Sequence, residues 1–130
     1  MIQHLVLFRL RAGVTPDDPR LRAVARAMDE LPSQIPVIQG WQHGRNLTPD
    51  AEAWDYGLCA MFDNQEDLHA YFEHPAHQPV LAAWNEIATL AFVDIGEDTP
   101  PDLLAEIRRL REASRSSSTR KTRSRSSSIT

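Results

Sequence analysis

Hydrophobic positions along the chain change period several times, and each change marks an element. Residues 2–10 alternate. Ile2, His4, Val6, Phe8 and Leu10 fall on one side, and Gln3, Leu5, Leu7 and Arg9 on the other, so a strand with two largely apolar faces is predicted. Thr15-Pro16-Asp17-Asp18-Pro19 is turn chemistry before a helix start, and Leu21, Val24, Ala25, Met28 and Leu31 then follow at helical spacing. Pro32 and Pro36 are expected to end this helix. Val37 to His43 reads as a second strand closed by Gly44-Arg45-Asn46, residues 48–53 as a loop, and Trp54 to Phe62 as a third strand. On that third strand Trp54, Tyr56, Leu58, Ala60 and Phe62 share a face.

Asp63 and Asn64 are capping residues, with Glu66 and Asp67 suited to the positive end of the helix dipole. Pro75 drives His74 out of helical geometry, so this helix breaks and a second one follows from about His77, with Val80, Leu81, Trp84 and Ile87 on its buried stripe. Thr89 to Ile95 is a fourth strand, ended by Gly96. The order is strand, helix, strand, strand, broken helix, strand. That is the α+β ferredoxin-like βαββαβ order, an antiparallel sheet with its helices on one face. Apolar residues also occupy the other face, which a second copy of the chain is expected to cover. The prediction is a homodimer joined through the sheet.

Three segments follow: a domain over 1–97, an added amphipathic helix over 98–113, and a Ser/Arg-rich tail over 114–130 expected to be disordered. Thr99-Pro100-Pro101-Asp102 opens the added helix, and Leu103, Leu104, Ile107 and Leu110 form its apolar stripe.

Charge divides the chain at the same place. The last 17 residues carry four Arg, one Lys and no acid, whereas the other 113 carry nine Arg and all 18 acids, giving +5 against −9. Such a tail is able to neutralise phosphates, but the acidic body opposes nucleic acid, and a flexible solubilising or docking extension is the favoured reading. Cys59 is the single cysteine, so no disulfide forms within the chain. No apolar run approaches the roughly 20 residues of a membrane span, and a reducing cytoplasm is the expected compartment.

The early histidine of Ile2-Gln3-His4-Leu5-Val6, the Gly44-Arg45-Asn46 turn, and the Tyr71-Phe72-Glu73-His74-Pro75-Ala76-His77 block after a Phe62-led capped helix resemble one family, the stress-responsive dimeric α/β-barrel (Dabb) proteins. The likeness covers residues 1–96. It implies the ferredoxin-like fold dimerised into a barrel, with a pocket between sheet and helices in each subunit. Within the family the chain resembles the polyketide cyclase branch. The likeness assigns that branch's catalytic tyrosine and histidine to Tyr71 and His77 and its strand-one histidine to His4. Tyr56 stands where such cyclases carry a further histidine.

These residues suit proton abstraction beside a carbonyl, which needs a base near neutral pKa and a donor for the forming enolate. His77 opens a helix, where the positive dipole end favours neutral imidazole, the form a base requires. Tyr71 would donate to the carbonyl oxygen, and His4 would orient substrate or relay a proton. Phe8, Trp41, Trp54, Tyr56 and Phe62 would supply flat apolar walls. The expectation is a small cofactor-independent enzyme acting on a polyketide-like or aromatic substrate, by intramolecular aldol or Claisen-type cyclisation or by isomerisation. The alternative is a non-catalytic homodimer, stress-responsive or ligand-binding. His43 and His69 are read as structural, His74 as a turn residue and Cys59 as an inert thiol. A metal held by Glu73, His74 and His77 is disfavoured because Pro75 spoils their common helical face. With five glycines and no phosphate-cradling loop, no nucleotide or other cofactor is expected.

Overall fold

The computed structural model describes residues 1–117. Its elements are β1 (Ile2–Leu10), α1 (Pro19–Gln34), β2 (Gly40–Arg45), β3 (Tyr56–Phe62), α2 (Gln65–Glu73), α3 (His77–Ile87), β4 (Ala88–Gly96) and α4 (Pro101–Ser117). The strands form one antiparallel sheet in the order β2-β3-β1-β4. This is the ferredoxin-like arrangement, α+β, with a helix added at the C-terminal side. The part of the tail expected beyond residue 117 lies outside the described residues, and residues 114–117 continue α4 instead of leaving it.

Alternation sorts the sheet's two faces. Ile2, His4, Val6 and Phe8 of β1 and Tyr56, Leu58, Ala60 and Phe62 of β3 are buried under α1, α2 and α3. The register sets His4 opposite Ala60 on one side and Asp94 on the other. The outer face presents Leu5, Leu7, Gly57, Cys59, Ala91 and Val93 around a shallow concavity of about 500 Å³. Leu7, Val93 and Ile95 are each about half exposed, at 49%, 51% and 48%.

Several boundaries differ from the sequence reading, and Gly44 and Arg45, expected to close the second strand, belong to it and pair with Gly57 and Tyr56. Pro32 does not end α1, which runs on to Gln34. A proline there cannot bond the Met28 carbonyl four residues back, and the Trp41 indole N–H takes that carbonyl instead at 3.0 Å. The second strand starts at Gly40, not Val37, because the chain still turns there, with the Ile38 amide on the Ile35 carbonyl at 3.2 Å. The third starts at Tyr56, not Trp54: the Asp55 carboxylate accepts from the Leu10 amide at 2.8 Å, while Trp54 lies in the preceding loop.

The predicted break after α2 is present. Asn64 caps the start of α2 by accepting from the Asp67 amide at 2.8 Å. At its end His74 is extended, and its Nδ1 accepts from the Ala76 amide at 3.0 Å, folding the chain back so that α3 begins at His77. α4 is fastened to the β3–α2 corner. Thr99 Oγ1 donates to the Asp63 carbonyl at 2.8 Å, and Arg108 pairs with Asp67 and, at 3.6 Å, with buried Asp63.

Candidate functional site

Between the helix-covered face of the sheet and the α2–α3 break lies a cavity of about 340 Å³. β1 contributes His4 and Phe8, the end of α2 contributes Tyr71 and Phe72, and α3 contributes His77 and Trp84. Phe92 of β4 stands at its rim, 66% exposed. The break is what brings Tyr71 and His77 together: across the turn at His74 and Pro75 their ring centroids are 4.5 Å apart. The His4 ring sits edge-on to Tyr71 at 5.8 Å and to Phe72 at 5.1 Å. The three residues named from the sequence therefore line one apolar space.

Their electrostatics differ. Burial holds the His77 imidazole below its ordinary pKa, with His4 adding to the effect and the Phe72 carbonyl working against it. His77 is thus neutral at pH 7. Burial alone pushes the Tyr71 phenol well above the usual tyrosine range, so it stays a proton donor. His4 Nδ1 lies 2.5 Å from Asp94 Oδ1. An ionised carboxylate only accepts, so Nδ1 carries the proton and in the neutral ring Nε2 is the acceptor. Two buried polar atoms, His77 Nδ1 and Trp84 Nε1, have no hydrogen-bond partner among the described residues.

Asp94 is a member of this site that the sequence reading missed. The signal was available, since Leu90, Phe92 and Asp94 alternate on one face of β4 and a carboxylate inside such a series is out of place.

The proposed walls need correction. Among the five, only Phe8 lines the cavity, stacked on Trp84 with centroids 3.9 Å apart. Phe62 and Trp41 stand behind Tyr71, at 4.9 Å and 6.2 Å. Tyr56 faces α1, because its register position lies toward the other end of the sheet, and its hydroxyl bonds His43 Nδ1 at 2.7 Å. Trp54 is outside altogether, with the Arg9 guanidinium 4.8 Å from its ring centre. Of the remaining histidines, His69 is exposed and paired with Glu73 at 3.2 Å, while His74 shapes the turn. Burial pushes the Cys59 thiol up, which lowers its reactivity at neutral pH. Among the described residues no group of three or more His, Cys, Asp or Glu is arranged to hold a metal ion, and no helix is long and apolar enough to cross a membrane.

Fold and cavity together describe a ferredoxin-like α+β domain with a histidine-bearing pocket between sheet and helices. The family model for the stress responsive A/B barrel domain matches residues 2–96, and the chain belongs to that family. It is 39% identical over 94 residues to an uncharacterised protein of Streptomyces coelicolor, covering 72% of this chain and 97% of that one. Among solved structures it is similar to a dimeric ferredoxin-like protein of unknown function from Bacteroides fragilis, at 33% identity, TM-score 0.64, and 72% and 93% coverage of the two chains. It is also similar to a hydroxynitrile lyase from Passiflora edulis, at 16% identity, TM-score 0.63, and 76% and 96% coverage, a likeness that shows the fold alone.

Proposed function

We propose that the cavity carries out cofactor-independent acid/base chemistry on a small hydrophobic or aromatic carbonyl compound, with intramolecular aldol or Claisen-type cyclisation as the leading reaction and isomerisation behind it. The observation that carries this reading is the convergence of a neutral His77, a protonated Tyr71 and an Asp94-braced His4 on one apolar space. At about 340 Å³ the space is within the ordinary range of small-molecule sites, about 300–1,000 Å³. In the first step neutral His77 takes the proton from the carbon next to the carbonyl. The bonding pair moves into the carbonyl to give an enolate, whose oxygen accepts from the Tyr71 hydroxyl. The enolate carbon then attacks a second carbonyl of the same molecule, and the new alkoxide recovers the proton from His77. His4, its Nδ1 held by Asp94, orients the substrate through Nε2.

The same reading makes the protein a homodimer in a reducing compartment such as the cytoplasm. The half-exposed Leu7, Val93 and Ile95 would pack against a second sheet, as the dimeric Bacteroides relative suggests. The test needs no knowledge of the natural substrate. Exchange of carbon-bound α-protons of aryl methyl ketones and aryl β-diketones in D₂O is followed by ¹H NMR. Wild type should accelerate exchange, and His77→Ala and Tyr71→Phe should each reduce the acceleration about 10²–10³-fold. If no member of the panel exchanges faster than in buffer while the ketones still bind, the non-catalytic ligand-binding reading replaces this one.

A further inference from the structure

A second polar constellation lies between α1 and the β2–β3 edge, apart from the cavity. His43 is buried, with both ring nitrogens engaged: Nδ1 with the Tyr56 hydroxyl at 2.7 Å and Nε2 with Asp29 Oδ1 at 2.8 Å. Burial holds His43 below its ordinary pKa although Asp29 pulls the other way, so the ring is neutral at pH 7. Because the Asp29 carboxylate only accepts, Nε2 carries the hydrogen and Nδ1 accepts from Tyr56. Hydrogen-bond direction is thereby fixed from Tyr56 through His43 to Asp29. Burial, aided by Asp29, pushes the Tyr56 phenol up to about 12, so it remains the donor.

Over this floor opens a cleft of about 270 Å³ that also carries Arg22, Arg26 and Arg45. Arg22 and Arg26 are one helical turn apart on α1, and Arg45 reaches in from the end of β2. Two of the guanidiniums are held in place. Arg22 Nη1 donates to the Asp17 carbonyl at 2.9 Å, and Arg45 Nη2 to the Pro16 carbonyl at 3.1 Å. Both bonds end on neutral carbonyls, and of the carboxylates in the loop Asp18 offsets part of the Arg22 charge. Three cations thus line the cleft beside one lining carboxylate, Asp29, which is engaged with His43, and the space of about 270 Å³ admits a group the size of a phosphate or carboxylate.

We propose that this cleft is a binding site for a small oxyanion, the phosphate or carboxylate group of a metabolite. A guanidinium offers paired N–H donors that match two oxygens of either group, and pinned guanidiniums lose less freedom on binding than mobile ones. The site is distinct from the acid/base cavity. Between them stands a layer of rings, with Tyr56 on the cleft side 5.9 Å from Phe8 and 5.1 Å from Trp84 on the cavity side.

The full chain is titrated with sodium phosphate and, separately, with sodium benzoate, holding ionic strength constant with sodium chloride. The readouts are the thermal midpoint and the ¹H–¹³C signals of the His43 ring. A saturable rise in the midpoint together with a shift of His43 is expected for at least one of the two. A response to phosphate alone assigns a phosphate-bearing ligand, and one to benzoate alone a carboxylate-bearing one. In the Arg22→Gln/Arg26→Gln double variant, both positions being exposed, affinity should fall at least about tenfold. If neither salt acts beyond the chloride control, or if the double variant binds as wild type does, the proposal is overturned. The wild-type titration alone decides the first point, so it does not depend on how the variant folds.

Discussion

Two tyrosine-to-phenylalanine substitutions remove the same oxygen from two buried side chains, and the structure predicts opposite consequences. Tyr56→Phe deletes the donor to His43 Nδ1 and leaves that nitrogen, on a ring only 2% exposed, without a partner. Leaving a buried acceptor unpaired costs about 1–3 kcal/mol. Over a body of this size about 1 kcal/mol lowers the midpoint of thermal unfolding by about 4–8 °C. Tyr56→Phe should therefore lower it by at least several degrees. Tyr71 is equally buried, but its phenol is perturbed by burial alone, with no hydrogen bond or charge contributing. Tyr71→Phe strands no partner, and its stability should stay near that of wild type or rise slightly. Activity should divide the other way: Tyr71→Phe loses the α-proton exchange and Tyr56→Phe keeps it. Urea unfolding followed by tryptophan fluorescence, at one fixed protein concentration because association adds to stability, measures the first half. Equal losses of stability in the two variants, or a larger loss in Tyr71→Phe, would refute the reasoning.

Further expectations concern pH, backbone and assembly. His77 is held below the pKa of about 6.5 it has when unfolded, so between the two values the unfolded chain binds a proton that the folded chain does not. Stability is then fully present above about 6.5 and declines as pH falls through the folded value. Thermal midpoints between pH 7 and 5 should show that decline, with His77→Gln flattening part of it. Gly96 has φ +124°, and a Cβ built there would lie 2.2 Å from the Met1 carbonyl oxygen. Gly96→Ala should destabilise by roughly 1–3 kcal/mol or more, whereas Gly13→Ala, at φ +87° with nothing nearby, should cost only the backbone strain; the difference is read from urea midpoints. Leu7→Arg, on the outer face, should shift sedimentation from dimer towards monomer and leave far-ultraviolet circular dichroism unchanged. An unaltered dimer would place the interface elsewhere.

Elements were legible wherever one face is dry. β1, β3 and the paired α2 and α3 announce themselves because burial enforces periods of two and 3.6, and His4 stands out as a titratable residue inside an apolar series. Errors arose where composition and geometry part. Val37 and Ile38 are apolar yet belong to a turn, and Trp54 has strand-like chemistry but lies in a loop beneath Arg9. Pro32 would stop an isolated helix, and only a tryptophan nine positions later supplies the hydrogen bond that lets α1 continue. The polar partners were harder still. Asp94 meets His4 across 90 residues through strand register, and Asp29 meets His43 through packing of α1 on β2. No local pattern encodes either pair.

The fastening of α4 has a consequence for how the molecule opens. It includes Arg108 bridging Asp63 and Asp67 and Thr99 at the Asp63 carbonyl, with Leu104 and Ile107 half-buried while Leu103 and Leu110 stay exposed. Arg108 is half exposed, but both of its carboxylate partners are buried, and pairs of that kind are screened by salt far less than pairs at the surface. The start of segment 97–117 is tied to the body as well, by the Met1 ammonium on the Thr99 hydroxyl at 3.0 Å and the Gln65 amide on Asp98 at 2.7 Å. α4 thus acts as a clasp: taking it away would remove the Arg108 guanidinium from two buried carboxylates, one of them in the first turn of the helix that carries Tyr71.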